Sequence, residues 1–237
     1  MATMTKQSKK SSESKPTCKW CDKSFASDRT LITHMCVKKR RWADKDMTHV
    51  RLAFRVFQIF YDLNTASSKP KTMEDFIRSS YYEGFTKFGR SCVRNEYLQP
   101  ERFAEWLIRN GVKLTDWVKD ATYDKFLLEY VKMETGLRAL ERSIIYLDSW
   151  SKENDIAWQD YFRQVSANRA VHDIRACKIS PWVIYLSDTG GELLTRMNDE
   201  QIKMINHIID ANFWMNVFKR NAEEVDAVEQ ACQAAGI

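Results

Sequence analysis

The chain reads as an all-α protein, and three observations carry that reading. Seven Gly and four Pro are few for 237 residues, so there is little material for tight hairpins. No segment sustains the two-residue alternation of a half-buried strand. Apolar side chains instead recur at three- and four-residue intervals between cap-like residues, which is the spacing of one helix face. The β-branched clusters Ser143-Ile144-Ile145-Tyr146 and Trp182-Val183-Ile184-Tyr185 fall inside such stripes. About nine or ten helices with short connections are expected, forming a compact multi-helix domain.

Taken in order, residues 1–16 are mostly Lys, Ser, Thr and Gln around one Pro. They have almost nothing to bury and are expected to be a disordered basic tail. A cysteine-containing module is placed at 17–37 and a basic linker at 38–48, with the helical domain filling 49–237. In that domain Val50, Ala53, Phe54, Phe57 and Phe60/Tyr61 make one stripe, and Arg51, Arg55, Gln58 and Asp62 the opposite one. The polar loop Thr65 to Lys71 ends this helix. Thr72 with Asp75 signals a capping box ahead of Phe76, Tyr81, Phe85 and Phe88. Pro100 stands where a first helical residue belongs, with Phe103, Trp106 and Leu107 on one face and Gly111 as the stop.

Further stripes run through Trp117, Phe126, Leu127, Tyr130 and Val131 to a break at Gly136, then through Leu137, Leu140, Ile144 and Leu147. Trp158, Tyr161, Phe162 and Val165 mark a shorter helix, and Val171 with Ile174 another. Ser180-Pro181 opens one around Trp182 to Leu186. Asn198 with Gln201, and Asn221 with Glu224, are cap pairs for the last two stretches. Trp106, Trp117, Trp150 and Trp214 sit at helical spacing and are expected in the core.

Charge and cysteine usage narrow the setting. No apolar run reaches the roughly 18 residues that a bilayer crossing needs, and the Lys/Ser-rich N-terminal stretch reads as no secretory signal, so a soluble, cytoplasmic protein is expected. There, six Cys read as thiols or metal ligands and not as a disulfide framework. Residues 1–50 hold 12 Lys/Arg against 5 Asp/Glu, a net +7, while the rest holds 25 against 27, a net −2. Such asymmetry favours a polyanionic partner for the N-terminal part, most simply nucleic acid.

The chemistry concentrates between Cys18 and Cys36. The run is Cys18-Lys-Trp-Cys21, then Phe25, Leu31, His34 and Met35-Cys36. A d¹⁰ zinc ion accepts four thiolate or imidazole ligands in a tetrahedron, and a unit this small needs such a clamp to fold. The run resembles the zinc finger with two cysteines and two histidines, which places Phe, Leu and the first His at these intervals. By that resemblance Cys18 and Cys21 ligate from a hairpin in a ββα-like unit, Phe25 and Leu31 form its core, and His34 ligates from the helix. The last histidine of the pattern is missing. Cys36 lies two residues past His34, about 200° round an α-helix, so the helix must unwind for both to reach one metal. The alternative fourth ligand is the distant His49.

The resemblance also assigns the base-reading positions to Ser27, Thr30 and Thr33. None is an Arg, Lys, Asn or Gln capable of a bidentate base contact. Lys19, Lys23 and Arg29 of the finger, Lys38, Lys39, Arg40 and Arg41 after it, and Arg51 and Arg55 beyond are candidate phosphate contacts. Trp42 is either a stacking aromatic or a residue buried against the helical domain. Ile32 and Met35 are expected to project outward as apolar side chains.

No catalytic constellation stands out. Gly190-Gly191 lacks the Lys-Ser/Thr of a phosphate loop and reads as a turn. His172-Asp173 with Cys177, and His207, read as ordinary helix residues, and the acidic residues are spread singly. A non-enzymatic, one-zinc accessory protein is the expectation, binding DNA or RNA with little base preference. The alternative is an assembly protein whose finger is a metal-clamped docking knob for another protein. The run Arg40-Arg41-Trp42-Ala43-Asp44-Lys45-Asp46 leading into an aromatic helix resembles finger proteins of large tailed phages, which would imply a setting in an infected bacterium.

Overall fold

The structure is a computed structural model describing residues 15–65 and 69–237. The tail expectation, up to residue 14, and part of the loop after Thr65 therefore lie outside the described residues. Fifteen α-helices and two short 3₁₀ turns form among the described residues, with no strand and a single antiparallel bridge, Thr17 to Ser24. The all-α class is as expected. The chain forms two compact units, Met1–Tyr97 and Leu98–Ile237.

The first unit contains α1 (Asp28–Thr33), α2 (Val37–Ala43), α3 (Thr48–Asn64), α4 (Met73–Arg78) and α5 (Tyr82–Arg94). α3 buries Val50, Leu52, Ala53, Val56 and Phe57, adding Leu52 and Val56 to the predicted stripe and leaving Phe54 and Phe60 half-covered. Phe57 meets Phe76 at 5.1 Å and Phe85 at 5.6 Å between ring centroids, so α3, α4 and α5 share one aromatic core. Gly89 sets how closely α5 approaches α3, because a Cβ there would lie 2.3 Å from the His49 carbonyl oxygen. The predicted capping box of Thr72 and Asp75 forms. The helix it opens stops at Ser79, however, and the stripe from Phe76 to Phe88 is split between α4 and α5.

The second unit contains α6 (Pro100–Arg109), α7 (Asp120–Met133), α8 (Gly136–Asn154), α9 (Tyr161–Gln164), α10 (Ala167–Arg175), α11 (Pro181–Leu186), α12 (Asp188–Thr195), α13 (Asp199–Ile205), α14 (Ala211–Arg220) and α15 (Ala222–Ala235). Pro100, Ser180-Pro181 and the Asn198–Gln201 box begin helices as expected, and Gly111 closes α6 at φ 62°. Trp117, Trp150 and Trp214 are buried, whereas Trp106 stays half-exposed and donates its indole N–H to Glu129 at 2.6 Å.

The expected break between α7 and α8 forms, and Gly136 opens α8, its N–H donating to the Glu224 carboxylate at 2.8 Å. Two other local expectations are corrected. Glu224 is drawn by that bond away from Asn221, which makes no side-chain cap for α15. Gly190-Gly191 lies in the first turn of α12, where a Cβ on Gly190 would meet the Ile184 carbonyl oxygen at 2.5 Å. A buried ion pair, Arg142 to Glu134 at 2.7 Å, ties α8 to the end of α7. The same guanidinium bonds the carbonyls of Cys177 and Lys178 just past α10.

Candidate metal centre

The segment that carries the four candidate ligands is built from short-range backbone bonds. Phe25 N–H donates to the Pro16 carbonyl at 2.8 Å, Cys18 N–H to Lys23 at 3.0 Å, and Asp22 N–H to Cys18 at 2.8 Å. Asp22 takes the left-handed conformation, φ 57°, that folds the knuckle so that Cys18 and Cys21 turn to one side. The expected hairpin is thus reduced to one bridge and a turn, and no ββα unit with strands forms among the described residues. Ser27 caps α1 in a reciprocal box with Thr30. Phe25 rests on the His34 imidazole at 4.6 Å between ring centroids.

The two-residue spacing of His34 and Cys36 is resolved by ending the helix early. α1 stops at Thr33, and His34 follows with extended geometry, φ −65° and ψ 126°. His34 therefore projects from just past the helix and not from it, a correction to the family pattern. Cys36 is also extended and serves as N-cap of α2, its Sγ accepting the Lys39 N–H at 3.4 Å. The Lys39 ammonium donates to the carbonyls of Ile32 and His34, each at 3.0 Å, satisfying the exposed end of α1.

The ligand atoms of Cys18, Cys21, His34 and Cys36 all lie within 4.8 Å of one another, with Cys21 Sγ 3.2 Å from His34 Nε2. Zinc–sulfur bonds of about 2.3 Å put tetrahedral sulfurs about 3.8 Å apart, so the four groups fit around one ion after a small contraction. The cluster could hold a metal ion. His49 stands outside it, at the start of α3, where desolvation and the neighbouring Arg90 push its imidazole below its ordinary value.

The electrostatics of the cluster favour a cation. A bond from the Trp20 backbone N–H holds the Cys18 thiol below its ordinary value, against the opposing effect of desolvation. At Cys21 the Lys23 N–H pulls the same way, but desolvation and the sulfurs of Cys18 and Cys36 outweigh it, and the thiol is pushed up. Neighbouring thiols resist ionising together unless a positive ion sits between them.

This segment is docked onto its own unit. Trp20 is buried and packs on Trp42 at 5.0 Å, while Arg78 of α4 lies over the Trp20 ring at 5.6 Å and donates to the Lys19 carbonyl at 2.8 Å. Trp42 therefore packs within the unit. Sequence reasoning passed over Trp20, whose only signal was a large aromatic between two ligand cysteines.

The candidate phosphate contacts divide. Arg41 is committed: it donates to the carbonyls of Ile77 at 3.0 Å and Ser79 at 3.4 Å, pairs with Glu83 at 3.0 Å and lies over Tyr82. Lys39 is committed to its two carbonyls, and Lys38 is half-buried. Lys19 lies over Trp20 and Trp42, and Lys23 over Phe25. Arg29, Arg40, Arg51 and Arg55 are exposed. The base-reading positions spend their hydroxyls locally, Thr30 on the Ser27 carbonyl at 2.7 Å and Thr33 on the Arg29 carbonyl at 3.2 Å. Ile32, Met35 and Val37 are 74%, 54% and 63% exposed, so an apolar knob does project from the finger.

In the second unit, Asp173 is fully buried and accepts from Tyr161 at 2.8 Å and from Arg169, with the exposed His172 beside it. Cys177 is buried, and desolvation pushes its thiol up to about 12, the opposite of an activated nucleophile. No helix among the described residues is long and apolar enough to cross a membrane. No protein-family model, curated protein or solved structure matches this chain, so residues and geometry alone carry the candidate metal site.

Proposed function

We propose that the protein is a non-enzymatic zinc-finger protein whose first unit binds nucleic acid through the phosphate backbone, with little base preference. The observation that carries this is where the charge lies. Met1–Tyr97 holds 20 Lys/Arg against 10 Asp/Glu, a net +10, and Leu98–Ile237 holds 17 against 22, a net −5. The chain's net positive charge thus lies on the unit that contains the candidate finger, in support of a polyanionic partner. Internally bonded hydroxyls at the base-reading positions argue against sequence readout.

Cys18, Cys21, His34 and Cys36 would hold the ion, and three thiolates with one imidazole suit zinc. With four protein ligands the zinc would be structural, supplying folding energy and no open coordination position. Around four or five phosphate contacts would give a log–log salt slope of about −2.8 to −3.5 on single strands. Fluorescence anisotropy of a labelled homopolymer and a mixed-sequence duplex, titrated from low to moderate salt with zinc present, tests this. Equal affinities across sequences and a steep slope are expected. No binding to any strand at low salt would sink the proposal.

A second reading is favoured by the exposure of Ile32, Met35 and Val37. In it the finger is a metal-clamped knob for a protein partner, and nucleic acid plays no part. Its signature would be an interaction lost on Ile32→Ser and indifferent to salt.

A further inference from the structure

We propose that the cleft between α2 and α5 is a phosphate-binding site, in which Arg40 and Arg90 hold one phosphate group beside His49. It rests on the nucleic-acid reading above for the usual source of that phosphate, a strand backbone, although a free phosphate compound offers the same chemistry.

The cleft has a volume of about 180 Å³ and lies entirely within the first unit. Its size decides the class of ligand. Small-molecule sites span roughly 300–1,000 Å³, so a whole nucleotide does not fit, whereas a single tetrahedral phosphate with a water does. Its cations come from three elements: Arg40 and Arg41 of α2, His49 at the start of α3 and Arg90 of α5. Asp44 and Glu83 also line it. Glu83 is already neutralised by Arg41 at 3.0 Å, and Arg41 is further fixed on the Ile77 and Ser79 carbonyls. That leaves Arg40 and Arg90, both exposed, facing the single carboxylate of Asp44. Two guanidiniums on separate helices thus line the same cleft, and their forked N–H donors match the geometry of phosphate oxygens.

His49 is the third partner and a natural reporter. It is half-buried, with Arg90 disfavouring and Asp44 favouring its charged form, and the balance with desolvation leaves the imidazole depressed. A phosphate seated beside it would reverse that balance and draw a proton onto the ring. Arg90 drew no notice in the sequence because it is one of three cations on an amphipathic helix, with Lys87 and Arg94, and lies 50 residues from Arg40.

The test uses the full-length, zinc-loaded protein with two probes, inorganic phosphate and a 20-residue thymidine strand. Arg90→Gln and Arg40→Gln are compared with Lys87→Gln, an exposed α5 residue outside the cleft. Circular dichroism checks that each variant is folded. For the native protein, both probes should shift the His49 ring resonances and raise their titration midpoint. Arg90→Gln and Arg40→Gln should each remove that shift and flatten the salt slope for the strand by about 0.7, with Lys87→Gln leaving the His49 response intact. If the strand binds but neither the His49 resonances nor the two arginine variants respond, the cleft is overturned while nucleic-acid binding stands. If phosphate shifts His49 through both arginines but no strand binds, the cleft stands as a site for free phosphate compounds and the nucleic-acid proposal falls.

Discussion

Cys36 does two jobs that can be separated by substitution. Its sulfur belongs to the metal cluster and also accepts the Lys39 N–H as N-cap of α2. Serine is a good N-cap but a poor zinc ligand, and alanine is neither. Cys36→Ser and Cys36→Ala should therefore lose zinc affinity alike, measured by competition with a chromophoric chelator. Without metal, the serine variant should be the more stable of the two by about 1 kcal/mol in a denaturant titration. Equal metal-free stabilities would show that the cap contributes nothing. His49→Ala, outside the cluster, should keep a full equivalent of zinc. The four clustered residues were legible in the sequence because residue type and spacing carry them, and so was the need for the helix to open near His34. That it ends one residue earlier, at Thr33, was not, because only the backbone of His34 reveals it.

At the scale of elements, Arg142 is the tie that several helices share. α10 ends in a Schellman arrangement: Lys178 N–H donates to Asp173 and Cys177 N–H to Ile174, each at 2.8 Å, with Cys177 left-handed at φ 53°. Arg142 bonds the carbonyls beyond that cap while pairing with Glu134, whose side chain is only 2% exposed. Removing the guanidinium strands a buried carboxylate, which costs about 3–5 kcal/mol. Arg142→Met should lose stability on that scale, and adding Glu134→Gln should recover a substantial part in a double-mutant cycle. Simple additivity would refute the coupling. Cap signals such as Thr72–Asp75, Pro100, Ser180-Pro181 and Asn198–Gln201 were readable because cap chemistry is local. The stop at Ser79 and the diversion of Glu224 to Gly136 were not, since each depends on what packs nearby.

For the molecule as a whole, buried acids set an alkaline limit on stability. Burial raises the Cys177 thiol from 9.0 to about 12, Cys232 to about 11, and the hydroxyls of Tyr146 and Tyr161 well above their usual range. A group whose folded value is raised contributes its full stability below the unfolded value and loses it as pH rises through the folded one. For Cys177 that window runs from pH 9 to about 12, and the loss is up to about 4 kcal/mol. The urea midpoint should fall steadily above pH 9, and by less in Cys177→Ser; an identical fall in both would remove this thiol as a cause. The helical class was visible from periodicity alone. The division after Tyr97, and with it the opposite charges of the two units, was not, because it depends on which distant helices share a core.

Trp20 and Trp42 give the candidate metal site an optical signature. Their rings lie 5.0 Å apart at 39°, one between the first two cysteines and the other in the helix that Cys36 caps. Two indoles at that distance and tilt couple their electronic transitions, and any loosening of either arm would uncouple them. The occupancy of the cluster is thereby written into the near-ultraviolet dichroism and fluorescence of the native chain, with no added label.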